Sequence, residues 1–351
     1  MKILYGVQGT GNGHIARARA MANAFAAQHC QVDFLFSGRD PKRYFSMEAF
    51  GQYKTCRGLT FATKNGRVDY WQTALENSLL TLKQEVQQQD LSQYDLVISD
   101  FEPVSAWAAK RQNKPCIGLS HQNAFRYSVP LRGASWLDKQ VLRHFAPANI
   151  HLGLHWYHFD QPILPPIVHT LCYQIEQTEQ SDAILVYLPF EQLESICELL
   201  WRFKSQSFIC YHPDVLAEEM EGNISLRALD HHSFQLDLHR CKGVIANGGF
   251  ELPSEALTLG KKLLVKPLEG QFEQQSNVAT LETLGLATVM DTLDSQVVRR
   301  WLQDALAEKV IYPQVAPAIV EWILKGEWSC HQTLCEQLWQ QVDFPSYVSI
   351  S

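Results

Sequence analysis

Two stretches of this chain place glycines and polar side chains in patterns suited to chemistry on an anionic, hydroxyl-rich ligand. The first is Gly9-Thr10-Gly11-Asn12-Gly13-His14, directly ahead of a segment of helical period that carries Arg17 and Arg19. Closely spaced glycines let backbone N–H groups approach an anion, and a helix N-terminus adds partial positive charge. His14 closes the loop with a side chain able to take a proton near neutral pH; the plain alternative is a histidine that caps or packs the helix. Asp100 ends Asp95-Leu96-Val97-Ile98-Ser99-Asp100. It suits two roles, orienting an imidazolium at His14 or capping a helix that starts near Pro103.

The second stretch, Ala246 to Asn277, has a definite order of parts: strand, glycine turn, helix, strand, acidic and glutamine-rich loop, helix. Gly248 and Gly249 follow the strand, and Pro253 suits the first turn of the next helix because its missing N–H has no partner there. A diphosphate can rest on that helix N-terminus, although the same glycines also make a plain tight turn. Glu255, after Ser254, is favoured in a first turn by the helix dipole alone and can equally accept hydrogen bonds from two ribose hydroxyls. Glu273, Gln274 and Asn277, with Gln271 and Gln275 beside them, offer the paired donors and acceptors that sugars need. In isolation they read as solvated residues at a helix start.

The elements that must hold these residues read as parallel βα units, short apolar runs alternating with segments of helical period. Strands are expected at Lys2–Val7, Val32–Ser37, Leu96–Ser99 and Pro115–Leu119, with helices at Arg17–Ala27 and Val104–Arg111. A second series of strands starts at Ala183, Ser207, Ile224, Gly243, Lys262 and Ala287, with helices between, and Val315 to Gln341 reads as helical. From Ala124 to Pro166 the pattern breaks into aromatic, His-rich and Pro-containing sequence, expected as a lid that leads into a linker. Ligands of doubly wound sheets bind at the carboxyl ends of strands, which directs attention to the loops after Val7 and Ala246.

Bulk properties narrow the partners. At 351 residues the chain exceeds one compact core. Its net charge of −7 disfavours a nucleic-acid surface. Nine scattered cysteines without a CxxC pair fit reduced thiols and a cytoplasmic protein, and no apolar run is long enough to span a bilayer. Gly11-Asn12-Gly13-His14-Ile15-Ala16 also fits a GxGxxA dinucleotide fingerprint, but the acidic residue that fingerprint needs about twenty positions on is missing, since Asp33 comes too early and Asp40 follows a loop.

The ordered series Gly248 or Gly249, Ser254-Glu255-Ala256, Gly260-Lys261-Lys262-Leu263-Leu264, Pro267, Glu273-Gln274 and Asn277-Val278, together with Gly13-His14, resembles the GT-B glycosyltransferases. The likeness is to the group that includes the UDP-N-acetylglucosamine transferase of peptidoglycan precursor synthesis. Lys262 and Val278 stand where that group carries proline and alanine.

The resemblance implies an α/β protein of two doubly wound Rossmann-like domains facing a cleft. Residues 1–165 would form the acceptor side, 180–315 the nucleotide-sugar donor side, and 316–351 C-terminal helices that pack back on the first domain. It also implies a UDP-sugar donor with Glu255 on the ribose, Glu273 and Gln274 on the sugar and the Gly248 turn at the phosphates. His14 would be the base of an inverting transfer.

No further cofactor is expected and, without a DxD motif, no metal. The acceptor, a glycolipid, polysaccharide or small molecule, stays open, as does the oligomeric state. A bacterial cell-envelope role is expected. Phe125 to Phe159, where Tyr127, Trp136, Trp156 and Tyr157 mix with Arg126, Arg132, Lys139 and Arg143, reads first as an ordinary lid packed on the sheet, with peripheral contact with an anionic membrane as the alternative. Phe234 sits where the family places an apolar residue near the base, or is core. The rival functions are a UDP-sugar epimerase using Asp100, Glu102 and Glu273, and a non-catalytic nucleotide-sugar-binding protein.

Overall fold

The computed structural model describes residues 1–60, 63–64, 67–68, 78–168 and 180–348. Its first half contains β1 (Lys2–Gln8), β2 (Gln31–Ser37), β3 (Tyr53–Thr55), β4 (Thr63–Lys64), β5 (Arg67–Val68), β6 (Leu96–Asp100), β7 (Cys116–Ser120) and β8 (Ile150–Gly153). Six of these strands form one parallel sheet in the order β3-β2-β1-β6-β7-β8, and β4 with β5 makes a separate pair. The central strands are apolar on both faces, as a parallel sheet covered by helices requires. Ile3, Tyr5 and Val7 pack in one core with α1 (Asn12–Ala27), while Leu4 and Val97 face the other way with α2 (Leu79–Gln88) and α3 (Pro103–Arg111). Gly6 is required by the close approach of α3, because a Cβ there would collide with the Ser105 side chain.

The second half contains β9 (Ile184–Tyr187), β10 (Phe208–Tyr211), β11 (Glu219–Glu221), β12 (Ile224–Arg227), β13 (Gly243–Asn247), β14 (Lys262–Lys266) and β15 (Thr288–Val289). They form a seven-stranded sheet, β11-β12-β10-β9-β13-β14-β15, parallel except at its β11 edge. In both sheets the strand order reverses beside a central strand, between β1 and β6 in the first and between β9 and β13 in the second. The loops after β1, β6 and β13 therefore leave at the crevice where doubly wound sheets bind ligands. Those loops carry Gly9–Gly13, the turn after Asp100, and Gly248–Gly249.

Three expectations change. The first helix begins at Asn12, not Arg17, and Gly11 before it offers no side-chain cap. Glycines disfavour helix, which hid this start, yet it leaves the first N–H groups unsatisfied on the cleft wall. Asp100 does not cap α3. Glu102 does, accepting from Val104 N at 2.7 Å and Ser105 N at 2.6 Å, with Ser37 Oγ donating at 2.6 Å. Phe101, in the left-handed region (φ 49°), turns the chain sharply between the two carboxylates. Residues 124–166 are not simply a lid, for they supply α4 (Trp136–His144) and the edge strand β8. In this segment Trp156 and Phe125 are buried while Trp136 is 70% exposed.

The chain then returns to its first half. After α5 (Leu193–Leu200), α6 (His231–Arg240), α7 (Glu251–Thr258), α8 (Phe272–Thr283) and α9 (Ser295–Gln303) come α10 (Val315–Lys325) and α11 (Gln332–Trp339). Helix α10 packs on α1, and Trp339 Nε1 donates to Ile163 O at 2.6 Å. Among the described residues no helix is long and apolar enough to cross a membrane. The eight described cysteines are free thiols, and Cys172 lies outside the described residues.

Lys262, at the family's proline position, is buried and has a specific task. Its Nζ donates to the carbonyls of Trp301 (2.9 Å), Leu302 (3.1 Å) and Asp304 (3.1 Å), capping the carboxyl end of α9 with a cation. Replacing Lys262 with Met keeps the apolar stem and removes the charge-assisted bonds. The variant is expected to lose about 2 kcal/mol of stability in urea unfolding with nucleotide affinity unchanged; a wild-type midpoint and slope would show the cap to be dispensable.

Candidate functional site

A cleft of about 290 Å³ lies between the two sheets, walled by the loops identified above. On the first-domain side stands His14, in the first turn of α1. Its Nδ1 is 2.7 Å from Asp100 Oδ1. An ionised carboxylate only accepts, so Nδ1 carries a proton and donates to it, and in the neutral imidazole the lone pair is then on Nε2. Asp100 is fully buried at the end of β6 and is held at both oxygens by Arg17, through Nε to Oδ2 (2.7 Å) and Nη2 to Oδ1 (2.5 Å). Burial alone would raise the Asp100 pKa, but the Arg17 guanidinium and His14 outweigh it and hold the carboxyl below the usual carboxylate range. Arg17 Nη1 also binds Glu251 at the start of α7, across the cleft. Gly13 makes that crossing possible, because a Cβ there would strike the Glu251 carboxylate.

On the second-domain side, the turn after β13 places Gly249 on the cleft wall, with Glu251, Pro253 and Glu255 following on α7. Glu255 is 5% exposed and accepts from Gln235 Nε2 at 3.0 Å. Burial pushes its pKa up to about 7, with Gln235 and Arg19 offsetting part of the rise. Glu273 and Gln274 enter from the first turn of α8. Glu273 accepts from Gln122 Nε2 at 3.0 Å, and the same amide nitrogen stands 3.4 Å from His14 Nε2. Gln274 Oε1 accepts from Leu268 N at 2.8 Å, which fixes the loop ahead of α8.

The candidate residues thus divide. Thr10, Gly11, Asn12, Gly13, His14, Gly249, Glu255, Glu273 and Gln274 line the cleft; Gly9, Asp100, Gly248, Ser254 and Asn277 do not. Ser254 receives Trp156 Nε1 at 2.8 Å, and Asn277 Oδ1 lies 2.5 Å from His121 Nε2 while its amide donates to Gly248 O at 3.0 Å. Both tie the second domain to the first. Gly248 and Gly9 are turn positions, Gly9 N donating to Ser37 O at 2.6 Å. Phe234 is a wall of the cleft, packed edge-on against Tyr187 and Tyr211.

Of the carboxylates available to an epimerase, Asp100 and Glu102 are fully buried and committed to Arg17 and to the α3 cap. Among the described residues no cluster of three His, Cys, Asp or Glu side chains can hold a metal.

Several residues that the sequence did not single out complete the site. Glu251 and Gln122 are adjacent in sequence to recognised features but gain their roles from partners more than a hundred residues away. His121 stacks on Phe250 with centroids 3.9 Å apart. Asn12 Nδ2 donates to Tyr187 Oη at 3.0 Å, and Arg39 holds the Asn12 oxygen at 2.9 Å. Five amide oxygens on the cleft wall, of Gln8, Gln122, Gln235, Asn247 and Gln271, are buried without a hydrogen-bond donor. Buried acceptors left unpaired are costly and call for donors from a ligand.

The sequence pattern of glycosyl transferase family 1 matches residues 1–305. No curated protein matches the sequence. Among solved structures, the glycosyltransferase SnogD from Streptomyces nogalater is similar with a TM-score of 0.55 at 18% identity, over 97% of this chain and 99% of that one. MurG of Acinetobacter baumannii is similar with a TM-score of 0.53 at 16% identity, over 92% and 99%. The glycosyltransferase VinC, in complex with dTDP, is similar with a TM-score of 0.51 at 14% identity, over 97% and 99%. At these identities the likeness is one of fold, the GT-B arrangement of two Rossmann-like domains.

The raised pKa of Glu255 makes stability depend on pH. The folded chain holds this proton up to about pH 7, whereas the unfolded value is 4.5. The resulting stabilisation is therefore full below the unfolded value and is lost as pH rises through 7. Between pH 5 and 8 wild-type protein is expected to lose roughly 2–3 kcal/mol more unfolding free energy than Glu255→Gln. Urea titrations of both proteins at the two pH values measure this, and equal pH dependence would contradict it.

Proposed function

We propose that this chain, which belongs to glycosyl transferase family 1, takes its sugar from a UDP-sugar and inverts the anomeric centre without a metal. It is a glycosyltransferase of GT-B fold, so a nucleotide-sugar donor and a hydroxyl acceptor meet in its cleft. The observation that carries the assignment of the cleft is the set of five unpaired amide oxygens on the wall that also carries His14 and Glu255. Sugar and ribose hydroxyls supply the donors that such acceptors lack.

In this mechanism the acceptor hydroxyl lies against the first domain, beside His14 Nε2. The oxygen attacks the anomeric carbon from the face opposite the diphosphate, forming the new glycosidic bond as the bond from that carbon to the phosphate oxygen breaks. The hydroxyl proton passes to His14 Nε2, and Asp100 steadies the imidazolium that results. The N-termini of α1 and α7 receive the negative charge of the departing diphosphate. Glu255 holds the ribose, and Glu273 with Gln274 the sugar.

A nucleoside diphosphate donor is supported by the dTDP bound to the similarly folded VinC, and uridine by the resemblance of the Ser254-to-Asn277 series. Exposed Trp136 beside exposed Arg132, Lys139 and Arg143 supports contact of this face with an anionic membrane.

UDP release from UDP-N-acetylglucosamine is expected to fall by about 10²–10⁴ in His14→Ala, with UDP affinity measured by calorimetry nearly unchanged. Glu255→Ala should weaken UDP about tenfold. The assignment of the base fails if His14→Ala turns over normally, and the assignment of the ribose contact fails if Glu255→Ala binds UDP as wild type does.

A further inference from the structure

We infer that Arg17 is a positioning residue through which contact with the second domain sets the basicity of His14, the Glu251 carboxylate of α7 being the element that makes that contact. The inference rests on His14 as the base and extends that role to two residues that touch neither sugar nor nucleotide in the mechanism above.

The geometry is a continuous chain. His14 Nδ1 donates to Asp100 Oδ1 (2.7 Å), Arg17 grips Asp100 through Nε (2.7 Å) and Nη2 (2.5 Å), and Arg17 Nη1 binds Glu251. Arg17 Nη2 also lies 2.9 Å from His14 Nδ1. Both are donors here, so the guanidinium sits against the imidazole as a charge rather than as a partner. The Arg17 side chain is 1% exposed, that of Asp100 0% and that of Glu251 13%, which leaves little water to screen them.

In such a cluster a proton on His14 is favoured by Asp100 and opposed by Arg17. Glu251 changes that balance. Engaged with Arg17, it compensates the guanidinium and lets Asp100 act more fully on His14; withdrawn with its domain, it leaves the positive charge of Arg17 unopposed except by Asp100. The base is therefore stronger when α7, which carries the donor site, lies against α1. The two domains meet through polar contacts such as Trp156 to Ser254 and through apolar ones in which Phe250 packs on His121 and Trp156, and the Arg17–Glu251 pair belongs to the same interface. The same pairing serves the donor, because a bare carboxylate at the start of α7, beside Gly249, would repel a diphosphate.

The charged and titratable groups facing His14 are few. Asp100 comes from β6, Arg17 from α1 itself and Glu251 from α7 through Arg17. Glu273 comes from α8 through Gln122, and the Tyr5 phenol, from β1, lies near the Arg17–Asp100 pair. Among these, Glu251 and Glu273 belong to the second domain, and Glu251 alone reaches the Arg17–Asp100 pair by a direct contact among the described residues.

The test follows the His14 imidazole by NMR in full-length, histidine-labelled protein saturated with UDP, the resonance being assigned by its loss in His14→Gln. Glu251→Gln is expected to lower the His14 titration midpoint by about half a pH unit or more, threefold in proton affinity. Arg17→Met should raise it, and Glu251→Asp should restore most of the wild-type value. A purely structural role would not move the midpoint in opposite directions in the two variants. Unchanged midpoints, or shifts of the same sign, overturn the inference. If Arg17→Met does not fold, Glu251→Gln against Glu251→Asp decides the matter alone. Failure of the base assignment is read separately, from the turnover of His14→Ala.

Discussion

The buried ion pair between Arg17 and Asp100 is the constraint around which the rest of the molecule is arranged. Both groups are removed from water, and stripping the hydration from either costs several kcal/mol that only well-aligned partners offset. The alignment here is bidentate, with a short N–H contact to each carboxylate oxygen. Loss of one member would strand the other charge in the interior, a defect worth about 3–5 kcal/mol in typical cases. So α1 must start where it does, β6 must end where it does, and the turn after β6 must spare Asp100 from capping. Glu102 assumes that task, and Phe101 adopts a left-handed backbone to separate the two carboxylates. His14, one turn ahead of Arg17 on the same helix, is then brought to Asp100 by helix geometry alone.

The two switch points place the reacting groups opposite each other. In the first sheet the loops after β1 and β6 deliver the helix N-terminus, His14 and Asp100; in the second the loop after β13 delivers Gly249, Glu251 and Glu255. Neither sheet makes a site by itself. The return of the chain through α10 and α11 braces the pairing, since α10 packs on α1, the helix that carries His14 and Arg17. Tyr312 Oη reaches Trp156 O at 3.4 Å and Trp156 in turn holds Ser254, so the brace runs through to α7.

Strands and helices built on continuous apolar runs were legible in the sequence because burial on both faces leaves little choice of residue, as in Ile3 to Val7 or Lys262 to Lys266. The edge strand β8 was not, for its four residues include His151 and stand among aromatic and proline-rich neighbours that read as loop. The start of α1 was hidden by Gly11 and Gly13, whose glycines answer to the crowding of Glu251 and to the cleft rather than to helix propensity. The sequence offers Asp100 as a cap for α3 and passes over Glu102, because only the fold shows which of two carboxylates two residues apart reaches the helix N–H groups. Glu251 and Gln122 had no signal, since what distinguishes them is a partner brought near by the fold.

The Ser254-to-Asn277 series is the part in which sequence pattern and structure differ most usefully. It reads as one donor site, yet two of its members turn away from the cleft. Ser254 accepts from Trp156, and Asn277 joins His121 to Gly248. These are polar contacts between domains, made by residues within one helical turn of those that line the cleft. A helix turn cannot shift Glu255 without shifting Ser254, nor Gln274 without Asn277, so the groups facing a donor and the groups facing the other domain move together. The Arg17–Glu251 contact obeys the same rule at the head of α7. The arrangement of the cleft and the approach of the two domains are consequently one structural variable, set by the same two helices.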